Sequence, residues 1–153
     1  MPDALAWSVL LVHLAATLFM VGLIWFVQVV HYPLKRAVGQ EHFPSYHHDH
    51  VVLTGWVVGP PMLLEAGSAL VLVLWPSTLI DPTWALVGLG LLLIVWAATA
   101  FFSIPAHDRL AKDFDPGVHR RLVRTNWIRT LAWSLRGILW LTIVGSLGPV
   151  TSA

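Results

Sequence analysis

Apolar residues run along this chain in four long blocks separated by shorter polar stretches. Residues 4–30 carry no formal charge, and 51–75 carry only Glu65. Residues 84–104 again carry none, while 127–147 hold Arg129 near one end and Arg136 inside. A helix of about 20 apolar residues crosses the hydrocarbon of a bilayer. The pattern therefore predicts an all-α integral membrane four-helix bundle with up-down-up-down topology and helices near 4–31, 45–75, 83–107 and 125–147. The length suits one domain, 1–153. Pro60-Pro61 predicts a kink in the second helix, because proline removes a backbone donor and crowds the preceding turn.

Charge orients these spans. Lys35 and Arg36 fall in residues 31–50, and Arg109, Lys112, Arg120, Arg121 and Arg124 fall in 105–126. With Arg129, eight of the nine basic residues lie at one membrane face, while Asp3 and Asp81 mark the other. The positive-inside rule places both longer connections in the cytoplasm, so the arrangement is N-out/C-out. The uncharged tail, residues 149–153, lies outside. The expected location is the bacterial cytoplasmic (inner) membrane, multi-pass. The first block has no basic residue before it and is too long for a cleaved signal peptide.

Composition agrees. Hydrophobic residues make up 57% and charged residues 11%, against roughly 25% charged in soluble domains. No cysteine is present, which excludes disulfides, thiolate metal sites and cysteine nucleophiles. Nine Trp residues suit membrane interfaces. Trp7, Trp75, Trp84 and Trp127 fall at expected interfaces and read as anchors.

A helix turns about 100° per residue, so positions 18 apart share a line. His13 and His31 are so related, with Thr17 and Gln28 near that line. His47 and Glu65 repeat the relation on the second helix, flanked by His50, Thr54 and Pro61. Trp96, Thr99, Ser103 and His107 share a face of the third helix, if that helix tolerates Pro105. Asn126, Arg129, Trp133, Arg136 and Trp140 form one stripe of the fourth. Polar stripes in a bundle turn inward.

Depth sorts these residues into two layers. His31, His47, His50 and His107 fall at the cytoplasmic side and are the candidate metal ligands, for iron, copper, zinc or haem. A site that binds substrate or handles protons without metal is the alternative, and interfacial histidines are the structural one. His42, His48 and His119 fit the stripes poorly. Asn126 and Arg129 would orient ligands or an anionic substrate. Deeper lie Glu65 and Arg136, each costing about 2.5–3.5 kcal/mol to place at mid-membrane alone. They are expected to face one another, either as a pair fixing helix register or as a proton relay with catalytic roles. His13 and Trp133 are candidate cofactor contacts beside them. Trp96, Trp133 and Trp140 either wall an aromatic pocket or pack against neighbouring helices.

Several strings carry a resemblance. They are Ile104-Pro105-Ala106-His107-Asp108-Arg109-Leu110 and Asn126-Trp127-Ile128-Arg129-Thr130, with Val29-Val30-His31-Tyr32-Pro33-Leu34 and Pro61-Met62-Leu63-Leu64-Glu65 upstream. Together they resemble a broad group of small, mostly uncharacterised four-helix bacterial membrane proteins, and they also resemble the anthrone-oxygenase-like family. The resemblance implies an oxygenase acting on a hydrophobic aromatic substrate. The chain departs from that pattern at His107, where asparagine is expected, and in adding His47 and His50.

The expected function is a membrane oxidoreductase or oxygenase-like protein for a lipophilic small molecule. A non-catalytic subunit of a larger membrane complex and a small proton-coupled transporter are the alternatives. Expected partners are the lipid bilayer, the lipophilic molecule and a homo-oligomer or membrane-complex partner. No nucleotide-binding loop or serine-nucleophile elbow is present. The basic residues near Arg120-Arg121 suit anionic headgroups, and no nucleic-acid partner is expected.

Overall fold

The chain is all-helical in its computed structural model, which describes residues 1–147. The tail 149–153, expected outside the membrane, falls beyond the described residues. Four helical runs cover Asp3–Ala37, Gln40–Leu74, Pro82–Leu110 and Pro116–Ser146. The first three are long and apolar enough to cross a membrane. The fourth is as long but less apolar than expected, since it carries five arginines and His119.

Two expected connections are shorter than the hydropathy pattern suggests. Only residues 38–39 separate the first helical run from the second. The fourth helix begins at Pro116 rather than near 125. Asp115 explains that start: its Oδ1 accepts from the Gly117 and Val118 amides at 2.6 and 3.1 Å, and Pro116 fills the first helical position. An acidic N-cap followed by proline is a favoured helix start. Arg120, Arg121 and Arg124 therefore stand on helix, not loop. The third helix is capped in the same way by Asp81, which accepts from the Thr83 amide at 2.7 Å. That bond holds the Asp81 carboxyl below its ordinary range.

Prolines are absorbed differently at three places. Pro60-Pro61 leaves the second helix unbroken from Phe43 to Leu74, so the expected kink is not a break in the helix. Val27–His31 forms a π-helical turn just before Pro33, and Thr99–Ser103 forms one just before Pro105. A π turn takes more residues per revolution than an α turn, so it shifts the phase of the helix beyond it. Helical structure thereby continues past Pro105 to Leu110. The same shift carries Tyr32 into the interior, at 4% exposed.

The helices pack in a ring: first on second, second on third, third on fourth, and fourth on first. One apolar cluster holds Met20, Ile24, Val95 and Trp133, and a second holds Leu10, Leu72, Ala85 and Trp140. The exterior is strongly apolar, with Leu53, Trp56, Leu74 and Phe101 among its most exposed residues.

Candidate functional site

His31, His47, His50 and His107 come together from three helices. Ring centroids are 4.5 Å apart for His31 and His50 and 5.1 Å for His47 and His107. His50 lies 5.9 Å from His47 and 5.7 Å from His107.

The hydrogen bonds fix where protons sit on neutral rings. A carbonyl only accepts, so His47 Nε2, 3.2 Å from the His107 carbonyl, bears a hydrogen. His47 Nδ1 then accepts from Lys35 Nζ at 3.5 Å. His107 Nδ1, 3.3 Å from His47 Nε2, is an acceptor. His107 Nε2 therefore donates to the Tyr32 hydroxyl at 3.0 Å. The result is a directed line, Lys35 to His47 to His107 to Tyr32. A second line places His31 Nε2 2.9 Å from His50 Nδ1, with the Thr54 hydroxyl 3.0 Å from that same nitrogen. The nitrogens thus face one another. Among the described residues, no group of three or more histidine, aspartate or glutamate side chains is arranged to hold a metal ion.

Beside this layer lies Arg129, only 7% exposed. Its Nη1 donates to Ser103 Oγ and Asn126 Oδ1, both at 3.2 Å. Asn126 in turn donates to Gln28 Oε1 at 2.9 Å, and Gln28 donates to the Val123 carbonyl. Asn126 is thereby committed to positioning Arg129. Arg129 Nε is buried without a partner, and no carboxylate pairs with the guanidinium among the described residues.

Arg129, Tyr32, His50, Thr54 and His107 line a cavity of about 200 Å³. Its walls are mainly the second and third helices, and its lining includes the exposed residues Val51, Ile104 and Asp108. A narrower space of about 30 Å³ continues inward toward Met20 and Ile24.

The deeper layer is closed. Glu65 and Arg136 pair at 3.3 Å and both are fully buried. Glu65 Oε1 also accepts from Thr17 at 2.7 Å, and Oε2 accepts from the Trp133 indole at 2.8 Å. Arg136 Nη1 donates to the Gly88 carbonyl. Its Nη2 donates to His13 Nε2 at 3.1 Å, so His13 donates through Nδ1 to Ser68 Oγ at 2.7 Å. His13 and Trp133 were expected to contact a cofactor. Here both spend polar atoms on the ion-pair network, and the Trp133 ring also lies 5.2 Å from the Arg129 guanidinium. Trp96 is 38% exposed, and Trp140 is buried edge-on to His13 at 4.8 Å. Neither lines the cavity.

No family model, curated protein or solved structure matches this chain. The anthrone-oxygenase-like resemblance rests on its short motifs alone.

Three site residues are not evident from the sequence pattern. Tyr32 lies in one of the motifs but has no role there, because the π turn that rotates it inward leaves no mark in the pattern. Lys35 reads as a solvated charge, yet it is fully buried with Nζ 5.2 Å from the Tyr32 ring. Its spacing of four from His31 is the available signal. His119 fits the stripes poorly, but it is buried and donates to the Tyr32 carbonyl at 2.8 Å.

Proposed function

We propose that this chain is a multi-pass protein of the bacterial inner membrane, N-out/C-out, that binds a lipophilic molecule with an acidic polar group. The three long apolar runs, the apolar exterior and the gathered basic residues support insertion with the histidine layer toward the cytoplasm. The fourth, less apolar helix crosses with them, its arginines Arg129 and Arg136 turned to the interior.

The observation that carries the binding reading is Arg129: a buried guanidinium with no ion-pair partner among the described residues and with its buried Nε unpartnered, lining a cavity whose wall includes the exposed Val51 and Ile104. A buried cation without a partner is costly, and an anion arriving from the bilayer relieves that cost. The substrate's acidic oxygen meets Arg129 and its hydrocarbon lies along Val51, Val58 and Ile104, the apolar lining of the larger cavity. His50 and His107 stand at the cavity as acid–base groups, and the line through His47 and Lys35 supplies exchangeable protons. Glu65 and Arg136 act as an internal clamp rather than as reacting groups.

The reaction class comes from the resemblance: oxidation of an aromatic lipophile by dioxygen. In that reaction a methylene between two rings becomes a carbonyl. One oxygen atom enters the product and the other leaves as water with the two hydrogens lost from carbon. Imidazole also suits iron, copper or zinc, and metal analysis decides whether the histidine layer is loaded.

The test uses purified protein in mild detergent, titrated separately with a long-chain carboxylic acid and with anthrone, whose enol form carries the acidic oxygen, while tryptophan emission and dissolved oxygen are followed. The expected result is saturable quenching with oxygen uptake, and binding weakened about 10- to 100-fold in Arg129→Gln, since hydrogen bonds to charged groups contribute about 1.5–3 kcal/mol. Binding without oxygen uptake removes the oxidoreductase reading. Absence of binding by anthrone and by long-chain carboxylic acids removes the site.

A further inference from the structure

Away from the Arg129 cavity, Arg36, Arg120 and Arg124 line a second cavity of about 440 Å³ between the end of the first helix and the start of the fourth. Phe114 and Val123 supply its apolar wall. All three arginines are exposed, and none forms an ion pair among the described residues. The nearest acidic group in sequence, Asp115, has its Oδ1 committed to the Gly117 and Val118 amides. Three like charges around one concavity repel each other until an anion enters, and guanidinium groups bind phosphate oxygens in paired fashion.

The surface below the cavity identifies the anion's carrier. Arg120, Arg124, Trp127 and Leu131 succeed one another at helical spacing, so they form a single stripe. Trp127 and Leu131 are 40% and 55% exposed. Trp127 packs edge-on against Trp25 at 5.6 Å, and Trp25 donates to Ser134 at 3.0 Å, fixing the pair. Cations above, an aromatic pair next and aliphatic carbon below repeat the order of a phospholipid from headgroup to acyl chain. His119 anchors the arrangement through its bond to the Tyr32 carbonyl.

We propose that this groove is a binding site for the phosphate headgroup of an anionic phospholipid of the inner leaflet, with an acyl chain lying along Trp127 and Leu131. The proposal rests on the membrane reading but not on the Arg129 cavity.

The test reconstitutes the full chain in phosphatidylcholine vesicles. Bromine is placed either on a minor phosphatidylglycerol component or on an equal fraction of the phosphatidylcholine. Brominated phosphatidylglycerol is expected to quench tryptophan emission more strongly. The excess quenching disappears in the triple variant Arg36→Gln, Arg120→Gln, Arg124→Gln, and in Trp127→Phe it falls to the share of the adjacent Trp25. Arg124→Gln alone lowers the preference about fivefold, the value of one basic residue at an anionic surface. The side chains are exposed, and an unchanged near-UV circular dichroism spectrum shows that the variants are folded. Equal quenching by both lipids overturns the proposal. Loss of the preference in millimolar inorganic phosphate also overturns it, because the groove then takes free phosphate. Failure to float with the vesicles overturns the membrane reading itself.

Discussion

Trp133 donates its indole N–H to Glu65 Oε2 at 2.8 Å, joining the fourth helix to the second. The other carboxylate oxygen faces Thr17 and Arg136, so one side chain of the second helix ties both of its partners in this layer. Arg136 extends the network to His13 and to the third helix through Gly88. One ion pair thus touches all four helices.

Replacing one member of that pair strands the other. Glu65→Gln is expected to destabilise the protein by about 3–5 kcal/mol, the usual result of leaving a buried charge uncompensated. Adding Arg136→Met recovers at least half of that loss. Melting in detergent followed by near-UV circular dichroism measures the two single variants and the double. Simple addition of the two single losses would show that the residues act independently.

Gly88 has no room for a methyl group. An added Cβ would lie 2.7 Å from Trp140 Cζ2, and the indole is buried. Gly88→Ala is expected to cost about 1–3 kcal/mol through overpacking. Gly90, whose added Cβ meets nothing within 4 Å, is the control. Equal melting temperatures for the two alanine variants would refute the close approach.

Lys35 is buried and forms no ion pair with a carboxylate among the described residues. Methionine has a similar length and removes the charge, so Lys35→Met is expected to melt at or above the wild-type temperature. Exchange of the His47 ring proton, read by nitrogen-15 NMR, should change in the same variant because Lys35 donates to that ring. A melting loss as large as that of Glu65→Gln would mean that the ammonium group holds the layer together.

Treatment with a chelator is expected to leave melting and tryptophan emission unchanged, since the imidazole nitrogens bond one another in pairs. Elemental analysis and a visible spectrum of the untreated protein complete the measurement. One equivalent of iron, copper or zinc, or a haem absorption band, would replace the hydrogen-bonded reading with a metal centre.

Much of this arrangement is readable from spacing alone. Relations of 18 residues place His47 and Glu65 on one interior line, and hydropathy places them at two depths. The Glu65–Arg136 pair is expected because no other charge lies so deep. Hydropathy fails where helix is not apolar: residues 116–126 are helical because Asp115 and Pro116 start a helix there, whatever the polarity beyond. A fixed turn of 100° fails at the two π segments, and the first of them, Val27–His31, directly precedes Tyr32 at the site. Lys35 is missed for another reason. Charge predicts solvent only when the chain around it reaches solvent, and the first helix continues past that point.

Between Trp84 and Phe102 the third helix has no charge and no side-chain hydrogen bond to another helix among the described residues, so that stretch offers little to fix its height against its neighbours. A slip of one residue would move it about 1.5 Å along its axis and turn it about 100°. Gly88 prevents this by presenting a notch to the Trp140 ring and a bare carbonyl to Arg136 in the same turn. An otherwise uniform greasy rod is thereby keyed at one height, and this contact supports, from several turns away, the face on which Ser103 and His107 make their own bonds.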